Sequence, residues 1–191
     1  MNDKMKSMID EKLNQSQNKS ELSSILTPRI NPEVQSMLDV MIKMEYESSF
    51  KYYYISACLM NNNISQTSKL FKKYGDEEQK HAEKHLEYVD DRNGKQSIPT
   101  ISTFDFKCDC VKEALLEALK HERMVSDTYI SSYKKLFEIG DITTLDHVSW
   151  YVHEQKEEEV KVRELLEKYY HLEECGGSLF HWEKEVESML G

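Results

Sequence analysis

Four long runs of this chain carry apolar stripes at helical spacing, and acid interrupts each stripe near its middle. The second run is the most informative, because Glu78-Gln79-Lys80-His81 sets a carboxylate and an imidazole three residues apart. A helical residue advances about 100°, so these two side chains lie about 60° apart around the axis and can reach one metal ion. A lone Glu-x-x-His on a surface helix says little. Here it sits mid-helix, and three other runs repeat the pattern of a central buried acid.

The chain of 191 residues suits one domain, and its 6 Gly and 3 Pro leave room for long helices. Asn31-Pro32 offers an N-cap followed by proline at the first helical position. From there the stripe Val34, Leu38, Met41, Glu45, Ser48, Tyr52, Ile55, Leu59 predicts a first helix ending at the turn Asn61-Asn62-Asn63. The second helix spans about Ile64 to Arg92, with the stripe Ile64, Thr67, Phe71, Tyr74, Glu78, His81, His85, Tyr88. The third covers about Cys110 to Ile139, through Val111, Leu115, Ala118, Glu122, Val125, Tyr129 and Leu136. Gly140 stops it and Asp141 caps a fourth, about Ile142 to Leu172, whose stripe is Val148, Tyr151, Gln155, Glu158, Val162, Leu165, Tyr169. A short fifth helix follows Cys175-Gly176-Gly177. Between the second and third helices, Lys95 to Lys107 has no helical period. A helix of about 28 residues spans ~42 Å, and about 15 extended residues reach ~50 Å, so this connector can run the length of a bundle and make those helices parallel.

The fold expected is therefore all-α: a four-helix bundle, residues 30–191, with a long crossover between helices two and three and a short C-terminal helix. Residues 1–29 read as an appendage. An amphipathic start (Met5, Met8, Ile9, Leu13) precedes the polar run Asn14 to Ser20, which is expected to be disordered, and Leu22 to Ile30 reads as a weak helix or a linker.

Thirty-five acidic against 25 basic residues give a formal charge of −10, which disfavours nucleic-acid binding by a basic face and favours cations. No apolar run is long enough to span a membrane, and the N-terminus lacks the apolar core of a secretory signal. Cys58, Cys108, Cys110 and Cys175 form no dense disulfide framework, which points to a reducing cytoplasm; Cys108 and Cys110 read as surface cysteines.

In a bundle of similar-length helices the midpoints coincide whichever way each helix runs. Glu45, Glu78, His81, Glu122, Gln155 and Glu158 should converge at one level. Unpaired, such carboxylates cost several kcal/mol apiece and tend to take up protons; cations offset that cost. Four carboxylates and an imidazole suit two hard-to-borderline ions such as iron. The acidic run Glu154 to Glu159 taken alone reads as a solvated face, but four coincident midpoints argue against that. His85, His121 and His153 read as ordinary neighbours. Tyr52 and Trp150 stand between core packing and a supporting or redox role.

These residues resemble the non-haem ferritins, particularly the bacterial type. The resemblance rests on Glu45-Tyr46-Glu47-Ser48-Ser49 with Tyr52, on Asp76-Glu77-Glu78-Gln79-Lys80-His81, on His121-Glu122, and on Trp150 through Glu159. It covers about Pro32 to Leu190. It implies a ferritin-like fold and an Fe(II)-oxidising, iron-storing function, with dioxygen or hydrogen peroxide as oxidant. It also implies a homo-oligomeric shell of twenty-four subunits. Glu45, Glu78 and His81 would bind a first iron; Glu78, Glu122 and Glu158 a second, with Glu78 bridging and Gln155 beside the pair. Glu77, Glu154 and Glu157, with Glu158, would form a third site, and Tyr52 would serve electron transfer. The fourth helix has Gln155 and Glu158 with no histidine after either, so it lacks a second Glu-x-x-His, which argues against the bacterioferritins and rubrerythrins; the second helix has no Met to hold haem, so no haem is expected. Two rival functions are a di-iron oxidase or peroxidase that stores nothing and a metal-free helical scaffold.

Overall fold

The computed structural model describes Lys12 and residues 19–191. The amphipathic start and most of the polar run that follows it lie outside the described residues. Residues 19–25 are helical, so helix begins inside the run expected to be disordered. Its Leu22 and Ile25 remain exposed. The chain then turns and is stitched to the bundle. Arg29 N donates to Arg92 O at 2.9 Å, Asn93 Nδ2 donates to Leu26 O, and Ile30 is buried.

Four long helices follow: α1 (Pro32–Asn61), α2 (Ser65–Asp91), α3 (Val111–Ile139) and α4 (Ile142–Glu174), then the short α5 (Leu179–Leu190). Among the described residues there is no strand. The caps read from the sequence hold. The Asn31 side chain accepts from Val34 N at 2.8 Å, and Asp141 accepts from Thr144 N at 3.0 Å. Gly140 closes α3 in the left-handed conformation, φ 78°.

The core divides into two apolar clusters. One gathers the C-terminal half of α1, the N-terminal halves of α2 and α3, the C-terminal half of α4, and Trp182 and Val186 of α5. The other gathers the opposite halves: Val34 to Met44 of α1, Val89 of α2, Val125 to Leu136 of α3, and Val148 and Tyr151 of α4. Since α2 and α3 both begin in the first cluster, they run parallel, and α1 and α4 run against them. The residues from 95 to 108 form no regular element and carry the crossover. This strap lies on α1, where Phe104 and Phe106 pack on Tyr54 with ring centroids 5.8 and 5.1 Å away. It carries Cys108 into the first cluster, so this thiol is buried and not at the surface as the sequence suggested; Phe106 and Val111, on either side of it, draw the segment inward.

α2 starts on Ile64, whose side chain cannot cap it. The cap comes from α5: Glu183 accepts from Gln66 N at 2.6 Å and from Thr67 N at 2.9 Å. Trp182 Nε1 donates to Thr67 Oγ1 at 2.8 Å beside it. Glu183→Ala should therefore cost about 1–2 kcal/mol, the range for losing a helix cap. The check is the denaturant midpoint, with amide exchange rising in α2's first turn and in α5 together. Unchanged exchange in α5 would show that Trp182 alone docks it.

Candidate metal centre

Between the two apolar clusters lies a polar layer. It contains Glu45 of α1, Glu78 and His81 of α2, Glu122 of α3, and Gln155 and Glu158 of α4; all but half-buried His81 are buried. A seam position fixes each side chain's direction, and the equal reach of the two clusters fixes its height.

Three of these residues meet. One ligand atom each from Glu45, Glu78 and His81 fall within 4.8 Å of one another. His81 Nδ1 stands 3.1 Å from Glu78 Oε2 and 3.9 Å from Glu45 Oε2. The imidazole is edged by Trp150 at 5.4 Å and Tyr151 at 6.2 Å between centroids, and the Tyr151 hydroxyl donates to His81 O at 2.9 Å. Glu45 Oε2 is buried with no hydrogen-bond partner. Leaving such an acceptor unsatisfied is costly, and a cation among these three groups would satisfy it.

The other two acids are held differently. Tyr52 donates to Glu122 Oε1 and Gln155 Nε2 donates to Glu122 Oε2. Glu158 Oε1 accepts from the Lys161 ammonium at 2.7 Å, and Glu77 lies 3.6 Å from the same nitrogen. Glu77 and Glu154 are half-buried and Glu157 is exposed. Among the described residues only Glu45, Glu78 and His81 bring three ligand atoms this close, so Glu77, Glu154 and Glu157 are not gathered into a group of that kind.

Burial first, then the nearby Glu78, holds the Glu45 carboxyl well above the usual range. Burial and the neighbouring Glu158 push Glu122 up to about 8. Glu158 is raised by burial despite Lys161, with Glu78 and Glu77 adding to the rise. For His81, burial opposes the charge, but Glu78 with Glu154 and Glu158 outweighs it, so the imidazole is raised. Carboxyls raised by burial and by one another around a histidine mark a candidate cation site.

Two of its members escaped the sequence reading. Tyr129 donates to Glu45 Oε1, just as Tyr52 donates to Glu122. Each tyrosine stands seven residues after the acid of its own helix: Tyr52 after Glu45, Tyr129 after Glu122. Long helical side chains lean toward the N-terminus, so on antiparallel α1 and α3 each reaches back to the opposite acid. The repeated Glu-x6-Tyr spacing was the signal. Lys161 is the second, visible as a base three residues after Glu158. His121 is bonded to Ser48 at 2.8 Å, while His153 is exposed, so both are neighbours as expected.

A family model for the ferritin-like domain matches residues 35–170, and the chain belongs to that family. Among curated relatives, it is 26% identical over 157 residues to a probable bacterial non-heme ferritin-like protein of Haemophilus influenzae, covering 82% of this chain and 95% of that one. It is 22% identical over 160 residues to the bacterial non-heme ferritin of Escherichia coli, covering 84% and 97%. Among solved structures it matches an open pore ferritin from the hyperthermophilic archaeon Archaeoglobus fulgidus, with a TM-score of 0.79 and 22% identity over 84% of this chain and 98% of that one.

Proposed function

We propose that this chain is the subunit of an iron-storage ferritin that oxidises Fe(II) at a paired site and deposits Fe(III) as mineral inside a homo-oligomeric shell. The observation that carries the reading is the orphaned Glu45 Oε2 beside Glu78 and His81. Iron is the substrate and cargo. Its first position takes Glu45, Glu78 and His81; its second takes Glu78, Glu122 and Glu158, with Gln155 alongside. Carboxylates favour the higher charge of Fe(III), which lowers the barrier to losing an electron to dioxygen or peroxide. Tyr52, which donates to Glu122, is proposed to pass an electron. Iron at the second position competes with the Lys161 ammonium, whose half-exposed chain can swing outward. Glu77, Glu154 and Glu157 are proposed to take a third iron on its way to the interior. A cytoplasmic shell of twenty-four such subunits, without haem, completes the reading, with residues 1–29 as an appendage to the bundle.

The experiment is size-exclusion mass before and after aerobic Fe(II) loading. A large hollow assembly that gains hundreds of iron atoms is expected. Oxidation by a small oligomer with no retained mineral would mark a storage-free oxidase, and absence of oxidation with no iron bound would mark a scaffold.

A further inference from the structure

From the Glu45 oxygen that His81 does not face, a line of hydrogen-bonded side chains leads from the polar layer to half-exposed His147. Tyr129 donates to Glu45 Oε1. The Tyr129 hydroxyl is 2.9 Å from His85 Nε2, and His85 Nδ1 is 3.0 Å from His147 Nε2. His85 is fully buried, while the half-exposed His147 meets solvent. Stacking fixes both rings. His85 lies on Tyr151 at 3.9 Å between centroids and 4° between planes, and His147 lies on Tyr88 at 4.0 Å and 11°.

Once Glu45 is ionised, the bonding fixes every proton in the line. Iron ligation requires an ionised Glu45, which only accepts, so in the iron-bound site Tyr129 gives its hydrogen to Glu45 and its oxygen accepts from His85 Nε2–H. His85 Nδ1 is then bare and accepts from His147 Nε2–H. This leaves His147 Nδ1 as the free acceptor at the outer end. Every donor points toward Glu45. Burial, with neighbouring positive groups, lowers both histidines, His147 to about 4, so at neutral pH each ring keeps the one donor and one acceptor nitrogen that such a line needs.

The geometry points to a proton relay, His147–His85–Tyr129–Glu45, that serves the iron chemistry of the adjacent site; this rests on the ferroxidase reading. In that chemistry two Fe(II), one dioxygen and four waters give two FeO(OH), one hydrogen peroxide and four protons. Reduction of dioxygen by the two electrons takes up two protons first, and hydrolysis of the Fe(III) then releases six. An incoming proton binds His147 Nδ1, each link hands its own proton inward, and Glu45 delivers one to the reduced oxygen. Because every link gives as it takes, no residue in the line gains net charge once the transfer is complete. The transfer leaves all donors pointing outward, which is the arrangement an outgoing proton needs, and that proton restores the line. His85 and His147 touch no metal and act through Tyr129, so they are relay residues.

The test uses the full-length chain and Fe(II) with dioxygen in H2O and D2O. His147→Phe keeps the ring on Tyr88 but removes both nitrogens. Its oxidation rate should fall by about 100-fold, the lower reach of losing a positioned proton donor, and its solvent isotope effect should rise above that of the unaltered chain. His147→Ala opens a gap at the half-exposed position, and added imidazole should restore most of its rate. Co(II) binding should stay unchanged in both variants. Normal rate and isotope effect in His147→Phe, with an active unaltered chain, overturn the relay alone. Slower oxidation with weakened Co(II) binding, an unchanged isotope effect and no imidazole rescue also overturns it, leaving His147 a packing residue. No oxidation by the unaltered chain overturns the ferroxidase reading and the relay together.

Discussion

Glu78→Ala should lose rapid Fe(II) oxidation by at least about 100-fold, beyond the 10–100-fold that removing an outer partner of a metal ligand costs. On the proposed assignment this carboxylate serves both irons, so its loss disables both positions at once. His81 loses its nearest acid at 3.1 Å, and Glu45 is left as the lone carboxylate of the first position. The fold should not suffer. Glu78 is one of the charges that holds the Glu45 carboxyl high, and its removal relieves a buried like-charge contact. Stopped-flow initial rates and a denaturant midpoint measured on the same sample decide the matter. A wild-type rate would remove Glu78 from the centre, and a collapsed midpoint would make it a structural residue.

Metal-free protein should lose stability as pH rises from about 6.5 to about 8. Glu122 binds its proton more tightly in the folded chain, where burial and Glu158 push it to about 8, than in the unfolded chain near 4.3. Its contribution is complete below the unfolded value and disappears as pH climbs through the folded one. The raised Glu45, Glu158 and His81 act in the same direction. His121 and His147 act in the opposite sense, because both are lowered to about 4 by burial; their contribution is lost as pH falls from about 6.5 toward 4. Above about 6.5 only the raised groups titrate, and Glu122 alone should cost on the order of 1–2 kcal/mol over that window. Chelator-treated protein, unfolded in denaturant across the window, gives the slope. With Co(II) present the slope should flatten or reverse, since metal needs deprotonated ligands and binds more tightly as pH rises. A flat profile with chelator would mean that the layer is better solvated than its burial indicates.

The helices were legible because their stripes step in threes and fours without a break, from Val34 to Leu59 and from Val111 to Tyr129. The crossover was legible because residues 95–107 are too long and too aperiodic for a turn. The acids were legible because a carboxylate at a seam position has to be explained. What escaped depends on register between helices, which no single stripe encodes. That Glu183 of α5 caps α2 requires knowing where α5 docks. That His147 meets His85 requires the offset of α4 against α2. Lys161 was local enough to find, but a lysine beside glutamates on a helix usually means a solvated pair. Cys108 looked exposed because its neighbours Lys107 and Asp109 are charged, yet alternation along an extended strap turns every second side chain inward.

The separation of the core into two apolar clusters gives the bundle a waist. Each end is closed by its own aliphatic and aromatic side chains, and the middle is held by hydrogen bonds and acids that a passing proton or cation can rearrange. On the proposed reading, a cation therefore exchanges with the acids by rearranging side chains at this waist, while both apolar clusters keep their packing.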